Sequence, residues 1–398
     1  MSESIVVAGA GIGGLALALQ LARAGAPVTV LEKRTALVEA GAGIQLSPNA
    51  SRILIDLGLG AALGRRAVEP ARLSVRDLGN GRKLGAMPMA QAIRDRHGAP
   101  YWVILRADLH AVLLDAVRSE PGVKLLVGRQ VTGYAERDDH AEVHLANGNG
   151  TPQTLRTPLL VAADGVWSTL RTAIGDGDAP RFRNFEAWRC VVTRENVPEG
   201  LRAPDVVAWL GRSAHIVHYP VAGGDAWNIV VIVRSRAAVE GWGLPMDRDK
   251  LDALVARLGN PALHDLRNLL ASGENWRLWS LFDALPAVRW STPHATLLGD
   301  AAHPLLPFLA QGGAMAIEDT AILTRALAAH PGDTRAALMA YEETRYQRVR
   351  RVMEESRSNG RSFHFSGVTA LIRNLLLRHF GMEGLSARYD WLYGWRPD

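Results

Sequence analysis

The sequence predicts an α/β fold in which a doubly wound parallel sheet is intercalated with a mixed or antiparallel second sheet and followed by C-terminal helices. Three observations predict it. The chain opens with a strand, a glycine turn, a helix and a second strand, the usual beginning of a doubly wound sheet. A middle region of alternating apolar and polar runs indicates antiparallel strands. A buried-strand pattern then returns, so we expect sequence-distant pieces to complete the first domain.

The length of 398 residues exceeds what one hydrophobic core usually organises, so we expect two domains. We place the first part of one domain at residues 1–180, with insertions that belong to the other. The second domain is expected mainly at 181–285. The first domain resumes at 286–330, and a helical region follows at 331–398.

The elements follow from local patterns, beginning with a β-branched run at 5–8, an Ala/Leu-rich helical stretch at 15–24 and a buried strand at 28–31. The same criteria predict helices at 49–57 and 108–117, and a mostly helical region from Ala314 to about residue 380. They predict strands at 123–127, 142–145, 159–162, 206–210, 215–219, 227–233 and 295–298.

Composition excludes several classes of protein. The formal charge of +5 comes from 45 basic and 40 acidic residues spread along the chain, without the basic stripe of a nucleic-acid binder. Cys190 is the only cysteine, which excludes an intrachain disulfide and a cysteine-based metal cluster. No apolar run reaches the roughly 18 residues of a membrane span, and the N-terminus has no secretion signal. We therefore expect a cytoplasmic protein with no metal, no nucleic-acid partner and no membrane span.

A glycine motif follows the first strand. Gly9, Gly11 and Gly14 form G-x-G-x-x-G between a strand and a helix. The first glycine permits a tight turn, the second lets the backbone approach a pyrophosphate, and the third allows close packing of helix on strand. Glu32 ends the second strand, where its carboxylate can accept hydrogen bonds from a ribose. These residues predict a dinucleotide site of the Rossmann type and leave open whether FAD or NAD occupies it.

Two later aspartates favour FAD. Asp164 follows a hydrophobic strand in VAADG, and Asp300 follows another in LLGDAAH. A carboxylate at a strand end can accept hydrogen bonds from the hydroxyl groups of a ribityl chain. The helix expected from Ala314 would direct its N-terminal dipole at the pyrimidine edge of a flavin and stabilise negative charge there.

Taken with four further segments, these motifs resemble the single-component flavoprotein aromatic hydroxylases, the family that includes hydroxybenzoate and salicylate hydroxylases. The resemblance covers nearly the whole chain. The other segments that show the resemblance are GAGIQLSPNA at 41–50, Arg106 in LRADL, AQGGAMAIED at 310–319 and DWLYGW at 390–395.

The resemblance implies FAD as the cofactor and specific contacts with it. Arg106 is expected to touch the cofactor, and the backbone of Gly312, Gly313 and Ala314 to donate to the isoalloxazine. Further cofactor-binding positions implied by the resemblance are Ala10, Lys33, Gln45 and Val131. No second G-x-G-x-x-G occurs, which argues against a reductase with two dinucleotide sites. The resemblance implies that NADH or NADPH binds only transiently.

The substrate side is predicted from one strand. In HIVHYP, residues two apart share a face, so His215 and Tyr219 point one way and His218 the other. The segment resembles one that lines the substrate pocket of hydroxybenzoate and hydroxynicotinate hydroxylases. The expected chemistry uses O2 and a flavin C4a-hydroperoxide, whose electrophilic oxygen needs an electron-rich ring.

A phenol with a pKa near ~10 becomes electron-rich when it loses its proton, and an imidazole with a pKa near ~6.5 can accept that proton. We assign His215 as the base, Tyr219 as the residue that orients the substrate, and His218 as structural. A half-buried sheet histidine with ordinary tyrosine packing is the alternative for the pair.

Several alternatives stay open. Pro307 stands where 3-hydroxybenzoate 6-hydroxylases carry a glutamine beside the flavin, which argues against para-hydroxylation of 3-hydroxybenzoate. Salicylate, a hydroxynicotinate or another phenolic acid stays open as the substrate. The same fold could instead serve a ubiquinone-pathway hydroxylase or an epoxidase. It could also belong to a flavin-binding protein without turnover, in which the charged helix face at 342–351 contacts a partner.

Two expectations concern the C-terminal region. The helical stretch at 368–380 has apolar residues at helical spacing, and we expect it to dock on the core. The alternative is a position on a membrane surface. The aromatic tail at 391–395 is expected to pack on the body of the protein or on a second copy in a homodimer.

Overall fold

The computed structural model describes residues 4–37, 42–147, 152–241, 243–286, 289–379 and 387–397. The predicted segments at 41–50 and 368–380 extend beyond these ranges at Gly41 and Phe380. The strands of the described residues are β1 (Ile5–Ala8), β2 (Val28–Glu32), β3 (Gly43–Leu46), β4 (Arg72–Asp77), β5 (Lys83–Pro88), β6 (Trp102–Leu105), β7 (Val123–Val127), β8 (Arg129–Glu136), β9 (Ala141–Asn147), β10 (Pro152–Thr157), β11 (Leu160–Ala162), β12 (Arg181–Thr193), β13 (Val206–Leu210), β14 (Ala214–Val221), β15 (Ala226–Arg234), β16 (Leu244–Pro245), β17 (Arg277–Asp283) and β18 (Ala295–Leu297).

The helices of the same residues are α1 (Ile12–Arg23), α2 (Pro48–Asp56), α3 (Gly60–Gly64), α4 (Gln91–His97), α5 (Arg106–Arg118), α6 (Arg171–Ile174), α7 (Arg248–Arg257), α8 (His264–Ala271), α9 (Gly312–Ala329), α10 (Thr334–Phe363), α11 (Gly367–His379) and α12 (Asp390–Tyr393). Among the described residues, no helix is long and apolar enough to cross a bilayer.

A five-stranded parallel sheet holds the first core, with the order β18-β11-β1-β2-β7. Its strands are mostly buried, because α1 packs on the sheet and the apolar residues Val143 and Leu145 of β9 join the same core. Helix α1 is buried nearly all round, with Leu15, Leu17 and Leu19 fully inaccessible, and it packs against α5 and α9. Strand β18 enters this sheet almost 300 residues after β1, which brings the segment after it beside the first glycine turn.

The second large sheet has eight strands in the order β16-β17-β12-β15-β14-β13-β4-β5, antiparallel except for the β13–β4 pair. One face packs Trp188, Trp209 and Trp227 against apolar side chains of α7 and α8. The opposite face carries His215 and Tyr219. Strands β4 and β5 belong to this sheet although they lie within the first 180 residues.

The predicted α/β class is confirmed, with parallel and mainly antiparallel sheets interleaved along the chain and helices at the C-terminal end. The proposed domain boundaries stay predictions. Most predicted strands are present within one or two residues, and the helix expected from Ala314 begins earlier, at Gly312. Of the β8–β10 meander only β9 was predicted, at 142–145, because β8 and β10 lack clear alternation. The two-stranded sheet of β3 and β6 was not predicted either, because both strands are only four residues long.

One expectation about the C-terminal helices is wrong. The apolar residues of α11 do not dock on the core, since Leu371 and Leu375 are 63% and 62% exposed, and the helix contacts the body through Arg373 and Asn374 instead. In the charged segment 342–351, Arg345 is completely buried because α9 supplies its acidic partners. A partner contact of this segment stays a prediction. The tail packs on the body, as predicted, with the Arg348 guanidinium over the rings of Trp391 and Trp395. The homodimer stays a prediction.

Candidate functional site

A cavity of about 330 Å³ lies at the carboxyl ends of β1, β2, β11 and β18. This edge of a parallel sheet is where ligands of doubly wound folds bind. Most residues predicted to bind the cofactor line it, namely Gly9, Ala10, Gly11, Glu32, Lys33, Arg106, Val131, Asp164, Asp300, Gly312 and Gly313.

The glycine turn is shaped for close approach of a ligand backbone. A Cβ atom at Gly14 would lie 2.0 Å from the Gly9 carbonyl oxygen, so only glycine lets α1 pack this tightly on β1. At Gly11, the residue before α1, a Cβ would meet no protein atom within 4 Å. Its open side faces the cavity, and the free N–H groups of the first turn of α1 lie beside it. The turn therefore fits a pyrophosphate.

Glu32 is held in place at the end of β2. Its Oε2 accepts a hydrogen bond from the Ala10 N–H at 3.0 Å, and its Oε1 accepts one from the Arg34 N–H at 2.9 Å. Each carboxylate oxygen keeps a further lone pair. The side chain can therefore still accept hydrogen bonds from ribose hydroxyls, as its position in the sequence predicts.

One carboxylate oxygen of Asp164 lacks a hydrogen-bond donor among the described residues. Its Oδ2 accepts from the Thr169 N–H at 3.0 Å, whereas its Oδ1 is buried and has no hydrogen-bond partner among the described residues. Burial raises the pKa of this carboxyl group. An orphaned buried acceptor is costly unless a ligand donates to it. The hydroxyl-rich chain of FAD supplies such donors, so the residues present fit the predicted cofactor.

Asp300 lies in a 3-10 turn, Gly299–Ala301, directly after β18. The side chain is accessible from the cavity but surrounded by protein, and this desolvation raises its pKa, with the positive charges of Arg106 and Arg171 acting in the opposite direction. The Arg171 Nη2 also donates to the Asp300 carbonyl at 2.5 Å. The turn is thereby fixed at the cavity floor with its carboxyl group available to a ligand.

The N-terminus of α9 forms the adjoining wall. Gly312 and Gly313 line the cavity, so the positive end of this helix dipole points into it. Three other predicted cofactor residues do not line the cavity: Gly14 lies under the turn, Ala314 is fully buried, and Gln45 accepts a hydrogen bond from the Tyr101 hydroxyl at 2.6 Å. The cofactor roles of these three residues, and of the residues that line the cavity, stay predictions.

A buried ionic network supports this wall from behind. Asp319 on α9 accepts from the Gly299 N–H at 2.9 Å and from His303 Nε2 at 2.7 Å, and it pairs with the Arg345 guanidinium at 2.7 Å. Arg345 also pairs with Glu318 at 2.6 Å. Burial raises the pKa of Asp319, but the Arg345 guanidinium and the hydrogen bond from His303 outweigh this, so the pKa lies below its usual value. The network fixes the turn that carries Asp300 relative to α9 and α10.

Tyr219 and Arg189 share the sheet face nearest the cavity. Burial raises the pKa of the Tyr219 phenol well above 10, with the positive Arg189 acting in the opposite direction. The Arg189 guanidinium lies over the Trp279 ring at 5.1 Å, and its Nε is buried with no hydrogen-bond partner among the described residues. The charges of Arg189 and Arg106 affect each other, so this face borders the cavity wall formed by Arg106.

His215 lies further along the same face. It is 2% exposed, and its Nδ1 is 3.2 Å from Nε2 of His364. The ring packs against Phe308 and Phe363 at centroid distances of 5.5 and 5.2 Å. Burial, and then the neighbouring His364, place the pKa of His215 well below 6.5. The imidazole is therefore neutral at physiological pH and able to accept a proton.

His218 lies on the opposite face, as the strand alternation predicts. It is fully buried and stacks on Trp209 at 6.4 Å, and neither ring nitrogen has a hydrogen-bond partner among the described residues. Burial, and then the positive charge of Arg76, lower the pKa of His218 from 6.5 to about 3. These surroundings agree with its structural assignment.

Several residues of the site were missed from the sequence. His110 donates from Nε2 to the Ala10 carbonyl at 2.8 Å and lines the cavity, as do Arg129 and the half-exposed Trp167. The helical periodicity of α5 does mark His110 as a buried polar residue, which could have identified it. His364 gave no local signal, because its partner His215 lies 149 residues away.

Known proteins that resemble this chain were found by family, by sequence and by structure. Residues 2–356 match the model of the FAD binding domain family. The chain is 38% identical over 394 residues to a 3-hydroxybenzoate 6-hydroxylase of Klebsiella oxytoca, which covers 99% of this chain and 97% of the relative. It is 37% identical over 392 residues to a 3-amino-4-hydroxybenzoate 2-monooxygenase of Streptomyces platensis, covering 98% and 95%. Klebsiella pneumoniae HpxO complexed with FAD and uric acid superposes with a TM-score of 0.83 at 26% identity, covering 97% and 95%.

Proposed function

The chain belongs to the FAD binding domain family and is an FAD-dependent monooxygenase, and from that premise we propose that it hydroxylates a hydroxybenzoate-type aromatic acid. The observation that carries the proposal is the sheet face on which a neutral buried imidazole, a phenol and a buried guanidinium follow one another beside the cofactor cavity. The curated relatives named above act on hydroxybenzoates, which supports this substrate class.

His215 is the proposed base. With a pKa well below 6.5 its ring is neutral at pH 7, so a nitrogen lone pair can take the phenolic proton of the substrate. The ring then holds the positive charge beside the phenolate, which attracts it. The phenylalanine rings around His215 exclude water, which strengthens that attraction.

Arg189 is the proposed partner of the substrate carboxylate. A guanidinium can form two parallel hydrogen bonds to a carboxylate, and the unpartnered Nε leaves that capacity available. The Trp279 ring fixes the guanidinium plane from one side. The Tyr219 hydroxyl, kept protonated by burial, can donate to the substrate and orient its ring between Arg189 and His215.

Bound FAD, reduced by NADH or NADPH, supplies the activated oxygen from O2 for transfer to the ring. The chain's own residues position it. Asp164 and Asp300 would accept hydrogen bonds from its hydroxyl-rich chain, and the α9 N-terminus would stabilise negative charge on it.

The test uses the purified, FAD-loaded protein. Salicylate, 3-hydroxybenzoate and 6-hydroxynicotinate are each added to NADH and to NADPH under air, and cofactor oxidation, peroxide and hydroxylated product are measured together. We expect at least one acid to stimulate NAD(P)H oxidation with nearly stoichiometric product. Benzoate, which keeps the carboxylate but lacks the phenol, is the matched control and should yield no product.

Stimulated oxidation that forms only peroxide with every acid would contradict the proposal, since the acid would then act only as an effector. A flavin spectrum with no stimulation by any of them would contradict it as well and would favour a different substrate class for the fold.

A further inference from the structure

His364 follows the last residue of α10 and lies against the sheet face that carries His215. The two rings are buried and edge-to-face, with centroids 4.9 Å apart. One hydrogen bond joins the two rings, and a second joins His364 to the backbone. His215 Nδ1 is 3.2 Å from His364 Nε2, and His364 Nδ1 is 2.8 Å from the Gly360 carbonyl oxygen.

The chemistry of these atoms fixes the position of each proton. A carbonyl oxygen only accepts, so His364 Nδ1 must carry a hydrogen and donate it to Gly360. In the neutral ring the other nitrogen, Nε2, then has only a lone pair and must accept. His215 Nδ1 is therefore the donor to it. The remaining nitrogen of His215, Nε2, carries the lone pair and has no hydrogen-bond partner among the described residues.

The surroundings keep both rings neutral. Burial lowers the pKa of His364 as well as that of His215, and the positive charges of Arg234 on β15 and Arg373 on α11 lower it further. The carbonyl groups of Gly360 and Ile232 raise the pKa of His364, but they do not outweigh burial. The other groups packed on the two rings are the apolar side chains of Phe185, Phe308 and Phe363.

We propose that His364 is a positioning residue that holds His215 in the tautomer whose Nε2 accepts the phenolic proton. The inference rests on the proposed function and deepens it. After the transfer, the substrate is a phenolate and His215 an imidazolium whose Nδ1–H still donates to the neutral His364. The arrangement follows the logic of an oriented base, in which a third group selects the tautomer and stabilises the cation that forms. Here a neutral imidazole takes the place of the usual carboxylate.

The experiment compares two substitutions in the full-length, FAD-loaded enzyme. His364→Phe keeps an aromatic ring but has no acceptor, so His215 loses its tautomer preference. His364→Gln supplies a side-chain carbonyl that can accept from His215 Nδ1. We expect His364→Phe to lower kcat for hydroxylation roughly 10- to 100-fold, the size of effect seen when the hydrogen-bond partner of a functional histidine is lost. KM for the aromatic acid and for NAD(P)H, and FAD content, should stay within about 2-fold because His364 touches neither ligand.

His364→Gln should recover most of the lost kcat. If His364 serves only to end helix α10, both substitutions should lower kcat equally or should reduce the FAD content. Either result would overturn the inference.

A second measurement does not depend on turnover or on folding of the variants. Long-range proton–nitrogen correlation spectra of the wild-type protein with 15N-labelled histidine report which nitrogen of each ring is protonated, and the His215 signals are those absent from His215→Ala. We expect protonated Nδ1 and bare Nε2 in His215. If His215 has the opposite tautomer and the enzyme still hydroxylates an aromatic acid, the inference about His364 is overturned and the proposed function stands. The expected tautomer in a protein that hydroxylates none would overturn the proposed function and, with it, the role of the pair in catalysis.

Discussion

The cofactor cavity and the substrate face of this protein are built in opposite ways. Backbone makes much of the cavity: glycine turns, helix N-termini and two aspartates that directly follow strands. Side chains make the substrate face, and they come from β12, β14, the 307–309 turn and the end of α10. The cavity therefore depends on backbone positions without a side chain, such as Gly11. The substrate face depends on the functional groups of its side chains.

Removal of one side chain from the substrate face should have the largest effect. His215→Ala deletes the proposed base, and general-base catalysis typically contributes 10²–10⁴-fold, so hydroxylation should fall by about that factor. FAD binding should not change, because His215 does not line the cofactor cavity. Product formation per NAD(P)H and the flavin spectrum are measured together. Turnover equal to wild type would remove His215 from the mechanism.

A matched pair of glycine substitutions tests the cavity side. Gly14→Ala would force a Cβ against the Gly9 carbonyl and should destabilise the fold by roughly 1–3 kcal/mol. Gly11→Ala meets no protein atom, so it should fold normally while its methyl group enters the cofactor cradle and weakens FAD binding roughly 10- to 100-fold. Thermal unfolding of the apoproteins and FAD titration separate the two effects. Equal FAD affinity in Gly11→Ala and wild type would place the pyrophosphate elsewhere.

Charge removal on each face of the eight-stranded sheet gives a smaller, selective effect. A charge-assisted hydrogen bond is worth about 1.5–3 kcal/mol, so Arg189→Gln should raise KM for the aromatic acid roughly 10- to 100-fold. Arg76→Gln removes a cation from the opposite face, over Trp209, and serves as the control. Steady-state kinetics with the acid varied would show the difference. Equal KM values in the two variants would exclude Arg189 as the carboxylate partner.

The smallest effect concerns acid stability and the buried His218. Its pKa is about 3 in the folded protein and near ~6.5 when unfolded, so the unfolded state binds a proton first. Its contribution to stability is complete above pH 6.5 and is lost as the pH falls from there toward 3. At pH 5.5 the loss is about 1.4 kcal/mol.

His218→Phe has no proton to gain, so its stability should fall less between pH 8 and 5.5, by about that amount. Urea unfolding of both proteins at the two pH values measures it. Parallel pH dependences would mean that His218 is not buried in its neutral form.

This contrast also explains what the sequence could predict. Gly9, Gly11, Asp164 and Asp300 were identified because each sits at a fixed offset from a strand, and strands leave a local pattern. The orientation of His215 relative to His218 followed from alternation along one strand. Contacts between distant segments leave no such pattern, so the hydrogen bond from His215 to His364 could not be predicted.

The buried ion pairs could not be predicted for the same reason. Nothing in the sequence around Arg345 indicates that α9 supplies Glu318 and Asp319 as its buried partners. The apolar spacing of α11 indicated docking on the core, yet Leu371 and its neighbours are exposed. Periodicity shows that a helix has two different faces, but only the tertiary structure determines which face is covered.

Strand β18 is the last strand of the parallel sheet to be synthesised, which affects folding during translation. Ribosomes add roughly 5–20 residues per second, so on the order of 15–60 seconds separate β1 from β18 and the Asp300 turn. During that interval β11 lacks its outer neighbour and the cavity lacks one wall. Incomplete parallel sheets form slowly and expose unpaired edges. The cofactor cavity is therefore complete only after β18 and the turn that carries Asp300 have been synthesised.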